Sequence, residues 1–212
     1  MLERLALAGR AGFQLLTDGA EGLLRLGKEG QLIVGEGQAK LYEAARRGRL
    51  WWVLSGTVAP GTSVGTTAAF ALANPAGSGV DLVIHKIGMG YVSGTLGAGV
   101  IMACIGAKSD TAVSGTALTS RAARGGGAGS KGAGFTTATL PASPNIYSAV
   151  WNVSAIEGTG TSALPAEATI NVDGAIVIPE GCSLSLQEIG GVGTSPLVRF
   201  SACWEEVPVL QG

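Results

Sequence analysis

Near the end of the chain, apolar and polar side chains alternate one for one. Cys182, Leu184 and Leu186 are separated by Ser183 and Ser185, and Val198, Phe200, Ala202 and Trp204 by Arg199, Ser201 and Cys203. Successive side chains on a strand point to opposite faces, so a period of two marks a strand with one face on a core. A Gly-rich stretch, residues 190–196, lies between the two arms and predicts that they pair as an antiparallel hairpin. Apolar runs at residues 51–54, 68–73, 80–92, 99–105 and 146–153 repeat the theme, each bounded by Gly, Pro, Asn or Ser. Asp173-Gly174, set between Ile170/Val172 and Ile176-Val177-Ile178, predicts another hairpin turn. Pro179-Glu180-Gly181 predicts a turn with Pro at its second position and Gly at its fourth. Residues 109–134 are polar and Gly-laden and predict a loop. Eight or nine strands and almost no helical stretch give an all-β chain, an antiparallel two-sheet β-sandwich with a jelly roll as the leading topology. An up-and-down barrel is the alternative.

The charges divide the chain. Residues 1–50 hold 8 basic and 6 acidic side chains, whereas the 162 residues that follow hold 6 basic and 9 acidic. Soluble domains carry about a quarter charged residues, so the charge-poor, Gly/Thr-rich body reads as a part that packs against other protein. In the leader, Gly recurs too often for a sustained helix, each internal Gly costing about 1 kcal/mol against Ala. The exception is residues 39–47, good helix formers closed by Gly48 in a C-cap position. The expected organisation is therefore an extended N-terminal arm over residues 1–48 and a β-sandwich over residues 49–212. Leu15, Leu23 and Leu26 cannot make a core by themselves, so they are candidate interface residues. Trp51 and Trp52 are candidates too: being adjacent on a strand, one points in and the other out, and an outward Trp is an interface anchor or a sugar-stacking platform.

Motifs for chemistry are scarce. The one histidine, His85, lies in an apolar strand and reads as a hydrogen-bonded core or interface residue rather than a base. One histidine and no CxxC argue against a zinc site, and the singly scattered Asp81, Asp110, Asp173 and Glu180 against a calcium site. Glu205-Glu206 would face opposite sides of a strand and read as a solvated strand end. The Gly-rich residues 125–134 lack the Gly-Lys-Ser/Thr ending of a phosphate loop and read as a flexible surface loop. Cys104, Cys182 and Cys203, an odd and widely spaced set, read as small buried hydrophobes. No catalytic, cofactor-binding or metal-ligating residue is assigned, and the expectation is not an enzyme. A net charge of −1 offers no general attraction for nucleic acid. No apolar run is long enough to span a membrane, and Glu3 and Arg10 leave no room for a signal-peptide core.

Three passages carry a resemblance: residues 37–48 (GQAKLYEAARRG), residues 72–84 (LANPAGSGVDLVI) and residues 200–208 (FSACWEEVP). With them the chain, over roughly residues 37–208, resembles structural proteins of tailed-bacteriophage particles, whose β-sandwich bodies form capsid decorations, fibres or knobs, often as trimers. The resemblance implies a virion component, here a decoration or cement protein. Its partners would be further copies of itself, a trimer being favoured, and virion proteins such as the major capsid protein. The alternative is a tail fibre, knob or carbohydrate-binding module recognising host glycan. The resemblance transfers no functional residue.

Overall fold

The computed structural model describes residues 40–125, 129–153, 167–190 and 193–209. Residues 41–212 form one compact unit. The expected arm falls outside the described residues, apart from the short helix at its end. That helix, α1 (Tyr42–Arg46), is closed by Gly48 at φ +72°, whose N–H donates to Ala45 O. Ala44 of α1 packs with Leu50 and Cys203, so the helix belongs to the body and the division falls at Lys40 rather than at residue 48.

Eleven strands follow among the described residues: β1 (Leu50–Leu54), β2 (Thr67–Ala73), β3 (Val80–Ser93), β4 (Gly99–Gly106), β5 (Ser114–Leu118), β6 (Arg121–Ala122), β7 (Ala133–Thr139), β8 (Asn145–Val153), β9 (Glu167–Ile178), β10 (Ser183–Gly190) and β11 (Leu197–Pro208). They form two antiparallel sheets, one of five strands ordered β6-β1-β11-β3-β9 and one of six ordered β5-β7-β2-β10-β4-β8. The chain is thus an all-β sandwich. The pairing is nested: β1 pairs with β11, β2 with β10, β3 with β9, β4 with β8, and β5 with β7. First and last strands therefore lie side by side.

The alternating patterns do their expected work. Leu184 and Leu186 of β10, with Phe70 and Leu72 of β2, turn inward from the six-stranded sheet. Val198, Phe200, Ala202 and Trp204 of β11 turn inward from the five-stranded one. All eight are fully buried in one core cluster, where the Phe70 and Phe200 rings lie tilted with centroids 6.3 Å apart. Asn74 bridges the sheets at one end: it follows β2, and its Nδ2 donates to Val80 O at the start of β3 and to Ile178 O at the end of β9.

Several local expectations are corrected. β10 and β11 do not pair with each other; they sit in different sheets and send their inward side chains into one core cluster. Alternation fixes which face of a strand is buried but not which strand lies beside it. Asp173-Gly174 is not a hairpin turn. β9 continues through it antiparallel to β3, and residues 172–175 bulge out between the Ile84↔Ile176 and Lys86↔Asn171 pairs. The positive φ of Asp173 (52°) and Gly174 (84°) serves that bulge. The turn at residues 179–182 has Pro at its first position and Gly181, at φ +76°, at its third, with Cys182 N–H donating to Pro179 O. Positive φ at the third position is what a type II turn needs. Residues 109–134 are not a plain loop: they hold β5, β6 and the start of β7, which widen both sheets.

Replacing Phe200 with Ala leaves a ring-sized void between the sheets. The expected loss is about 3–5 kcal/mol of unfolding free energy, read by urea denaturation; a loss below about 1 kcal/mol would contradict this account of the core.

Candidate interaction surface

The outer face of the five-stranded sheet can be read row by row from the strand register. One row runs Arg121–Trp52–Cys203–Lys86–Asn171, the next Leu54–Ser201–Gly88–Thr169. Trp51 turns the other way and is core, 5% exposed, against Trp204 on the neighbouring strand. Of the two tryptophans only Trp52, 36% exposed, is open to a partner; Trp51, a candidate interface residue from sequence, is a core residue. Leu54 beside it is 55% exposed. Leu15, Leu23 and Leu26 lie outside the described residues.

Small side chains flatten the second row. A Cβ on Gly88 would fall 2.4 Å from Ser201 Oγ, closer than real contacts allow, so glycine is needed for Ser201 to lie where it does. The result is a shelf of Ser201, Gly88 and Thr169 flanked by Leu54. Above it α1 covers Leu50 and Cys203. Burial pushes the Cys203 thiol up to about 12, against the weaker opposing pull of the Lys86 charge, and pushes Cys104 up to about 11. Neither is a thiolate nucleophile at neutral pH; both are packed as small hydrophobes, while Cys182 is half-buried.

This face also gathers cations that are far apart in sequence. Ala123 N–H donates to Leu50 O and Arg124 Nη1 to Arg46 O at 2.9 Å, which seats residues 121–124 beside α1. Arg46, Arg121 and Arg124 are exposed there, and Arg199 lies further along β11, its Nε donating to Thr57 Oγ1. Residues 121–124 and the helix are separated by more than 70 positions, so the chain order hides the grouping.

Glu205 and Glu206 are not a solvated strand end but have separate, specific places. Glu206 is buried and its Oε1 accepts from Ser130 Oγ (2.7 Å), Lys131 N (2.7 Å) and Gly132 N (3.1 Å), pinning the end of the Gly-rich segment to β11. Residues 129–132 are therefore held, not free as expected; residues 126–128 lie outside the described set. Glu205, on the outer face, lies with its Oε2 3.5 Å from His85 Nε2. His85 occupies the single position that opposes the β9 bulge and also sits where the β3–β11 register slips. It is buried, as expected, but neither ring nitrogen has a hydrogen bond.

Inside the sandwich, Glu188 continues the inward Leu184–Leu186 series of β10 and is 1% exposed, with no partner for Oε1. Burial raises its pKa. An apolar cleft of about 220 Å³ opens between β8 and β9, lined by Ile87, Ala103, Val150, Ile170 and Val172 with Tyr147 at its rim. Tyr147 Oη donates to Ala175 O. The lining offers no carboxylate, imidazole or thiol. Among the described residues, no group of three or more His, Cys, Asp or Glu side chains could hold a metal ion. No protein-family model, curated protein or solved structure matches the chain.

Two outcomes follow from these acids. Because the folded protein holds the Glu188 proton more tightly than the unfolded chain does, that proton stabilises the fold below the ordinary glutamate pKa of about 4.3. The contribution is lost as pH rises through the raised value. Glu188→Gln should therefore melt higher than wild type near neutral pH, with the gap closing at acidic pH; an unchanged melting temperature at neutral pH would show that this carboxylate is not strained by burial. Glu206→Ala leaves two backbone donors unpaired at a cost of about 1–3 kcal/mol. It should also speed tryptic cleavage at Lys131 relative to Lys108, with equal rates in variant and wild type counting against the clamp.

Proposed function

We propose that the protein is a structural component of a tailed-bacteriophage particle, a capsid decoration or cement protein that stabilises the head by lying on other virion proteins. The reading begins with the resemblance of residues 37–48, 72–84 and 200–208 to virion proteins. The observation that carries it furthest is the outer face of the five-stranded sheet. That face is flat along Ser201, Gly88 and Thr169, exposes Trp52 and Leu54, and is edged by arginines. Buried Trp and Arg anchors beside aliphatic contacts dominate the energetics of protein interfaces. The nested pairing, with β1-β11-β3-β9 in one sheet and β2-β10-β4-β8 in the other, supports a jelly-roll reading of the sandwich, with β5, β6 and β7 as additions to its edges. The work done is mechanical: each added contact raises the barrier to rupture of the shell, and no turnover is involved. Assembly as a homo-oligomer, a trimer first, belongs to the same proposal.

The test uses phage heads produced without this protein. Purified full-length chain should co-sediment with them saturably and raise their rupture temperature. Ser201→Arg, which plants a long cation on the flat shelf, should weaken co-sedimentation at least about tenfold while keeping the wild-type circular dichroism spectrum. No association by the wild-type protein, together with binding to purified host polysaccharide, would replace the proposal with the fibre or knob reading.

A further inference from the structure

The acids and bases of this chain are unevenly placed in the fold. Of the six Lys and Arg that follow Leu50, four (Lys86, Arg121, Arg124 and Arg199) lie on the outer face of the five-stranded sheet or at its α1 corner. Helix α1 adds Arg46, and Arg47 follows at its C-cap. Most of the carboxylates near this face already have company: Glu43 pairs with Arg47 at 3.6 Å and Glu205 faces His85. Among the described residues, no carboxylate lies within ion-pairing distance of Arg46, Arg121 or Arg124. Arg124 spends one donor on a backbone carbonyl, which fixes the guanidinium close to Arg46 and leaves its other donors unspent.

We infer that this corner is a docking site for a protein face carrying carboxylates around an apolar centre. The inference rests on the proposed role in assembly and names the chemistry of the partner. Three features select it. First, Arg46, Arg121 and Arg124 are arginines, whose planar fork binds carboxylates through paired hydrogen bonds and loses less hydration than lysine does. Second, Arg121 stands directly across from Trp52, and Leu54 lies one row further, so the cations border an exposed apolar strip. A phosphate backbone offers nothing to Leu54; an apolar side chain on a protein does. Third, three or four cations release too few counterions to support strong binding to nucleic acid, whereas they are ample to orient a protein contact. In the docked state, guanidinium N–H groups of Arg46, Arg121 and Arg124 donate to the partner's carboxylates while Trp52 is covered by its apolar centre. Like charges crowded in the free protein are then relieved on binding, so association quickens at low salt.

The probe is a fluorescein-labelled peptide of alternating Glu and Leu, about ten residues long, followed by anisotropy with the full chain. It should bind saturably at about 50 mM NaCl and markedly less at about 200 mM. The triple variant Arg46→Gln, Arg121→Gln, Arg124→Gln and the single variant Trp52→Ala should each weaken binding about tenfold or more. Lys108→Gln with Lys131→Gln, two cations away from the face, should leave it unchanged. The corresponding Gln/Leu peptide should not bind. Absence of saturable binding by wild type, equal binding by the triple variant, or tighter binding of a single-stranded oligonucleotide of equal charge would each overturn the inference. Peptide binding without association to phage heads would reject the virion role and leave the acidic-partner site standing. Association with heads that is insensitive to the three arginine changes would reject the site and leave the role standing.

Discussion

The two sheets hold together because the inward faces of β10 and β11 share one apolar layer. Leu184 and Leu186 contribute from one side, Phe200 and Trp204 from the other, and none of the four retains contact with water. At roughly 25 cal/mol per Å² of apolar area removed from water, a layer of large side chains supplies the dominant favourable term. It also dictates the outer surface. Once residues 184, 186, 200 and 204 face inward, residues 183, 185, 187, 201, 203 and 205 must face outward. Trp52 and Lys86, Cα partners of Cys203, share its outward face.

The outward face of the six-stranded sheet is treated differently from that of the five-stranded one. Ser183, Ser185 and Gln187 point away from the core and yet are buried. Gln187 explains part of this: its amide oxygen accepts from Gly65 N–H and its Nε2 donates to Gly65 O and Ser185 Oγ. A side-chain amide thus imitates a strand partner and straps the β1–β2 connection onto the sheet. Ala68, Ala71, Ala138 and Leu140 make a second small cluster. The five-stranded sheet has the short helix α1 over Leu50 and Cys203, while Trp52, Leu54 and Thr169 stay exposed.

Much of the sandwich was legible because a two-residue period is a local property. Phe70/Leu72, Leu184/Leu186 and Phe200/Ala202/Trp204 declare strands and their buried faces wherever those strands end up. Pairing is non-local, so alternation alone does not separate a β10–β11 hairpin from two strands in different sheets. Asp173-Gly174 shows a second limit. The same backbone preference for positive φ serves a hairpin turn and a bulge, and only the opposing strand, here β3 with His85, distinguishes them. Of the candidate surface, Trp52 could be found from its adjacency to Trp51, since alternation forces one of them outward. Arg121 and Arg124 lie close together in the sequence, but Arg46 joins them only because residues 123 and 124 dock on Leu50 and Arg46. Glu206 was hidden for the same reason: its three donors come from residues 130–132, over seventy positions upstream.

The nested strand order has a consequence for how this chain acquires its shape. Leu50 aligns with Glu205 and Leu54 with Ser201, so β1 emerges from the ribosome long before the strand that must lie between it and β3 has been made. The five-stranded sheet cannot close before β11 has been made. Its tryptophan-bearing first strand waits, unpaired on that side, until residues 201–205 are available. Contacts of such wide sequence separation slow folding and prolong exposure of apolar strand edges. This architecture therefore ties closure of the sheet to synthesis of β11, and a nascent chain interrupted before residue 197 lacks the strand that joins β1 to β3.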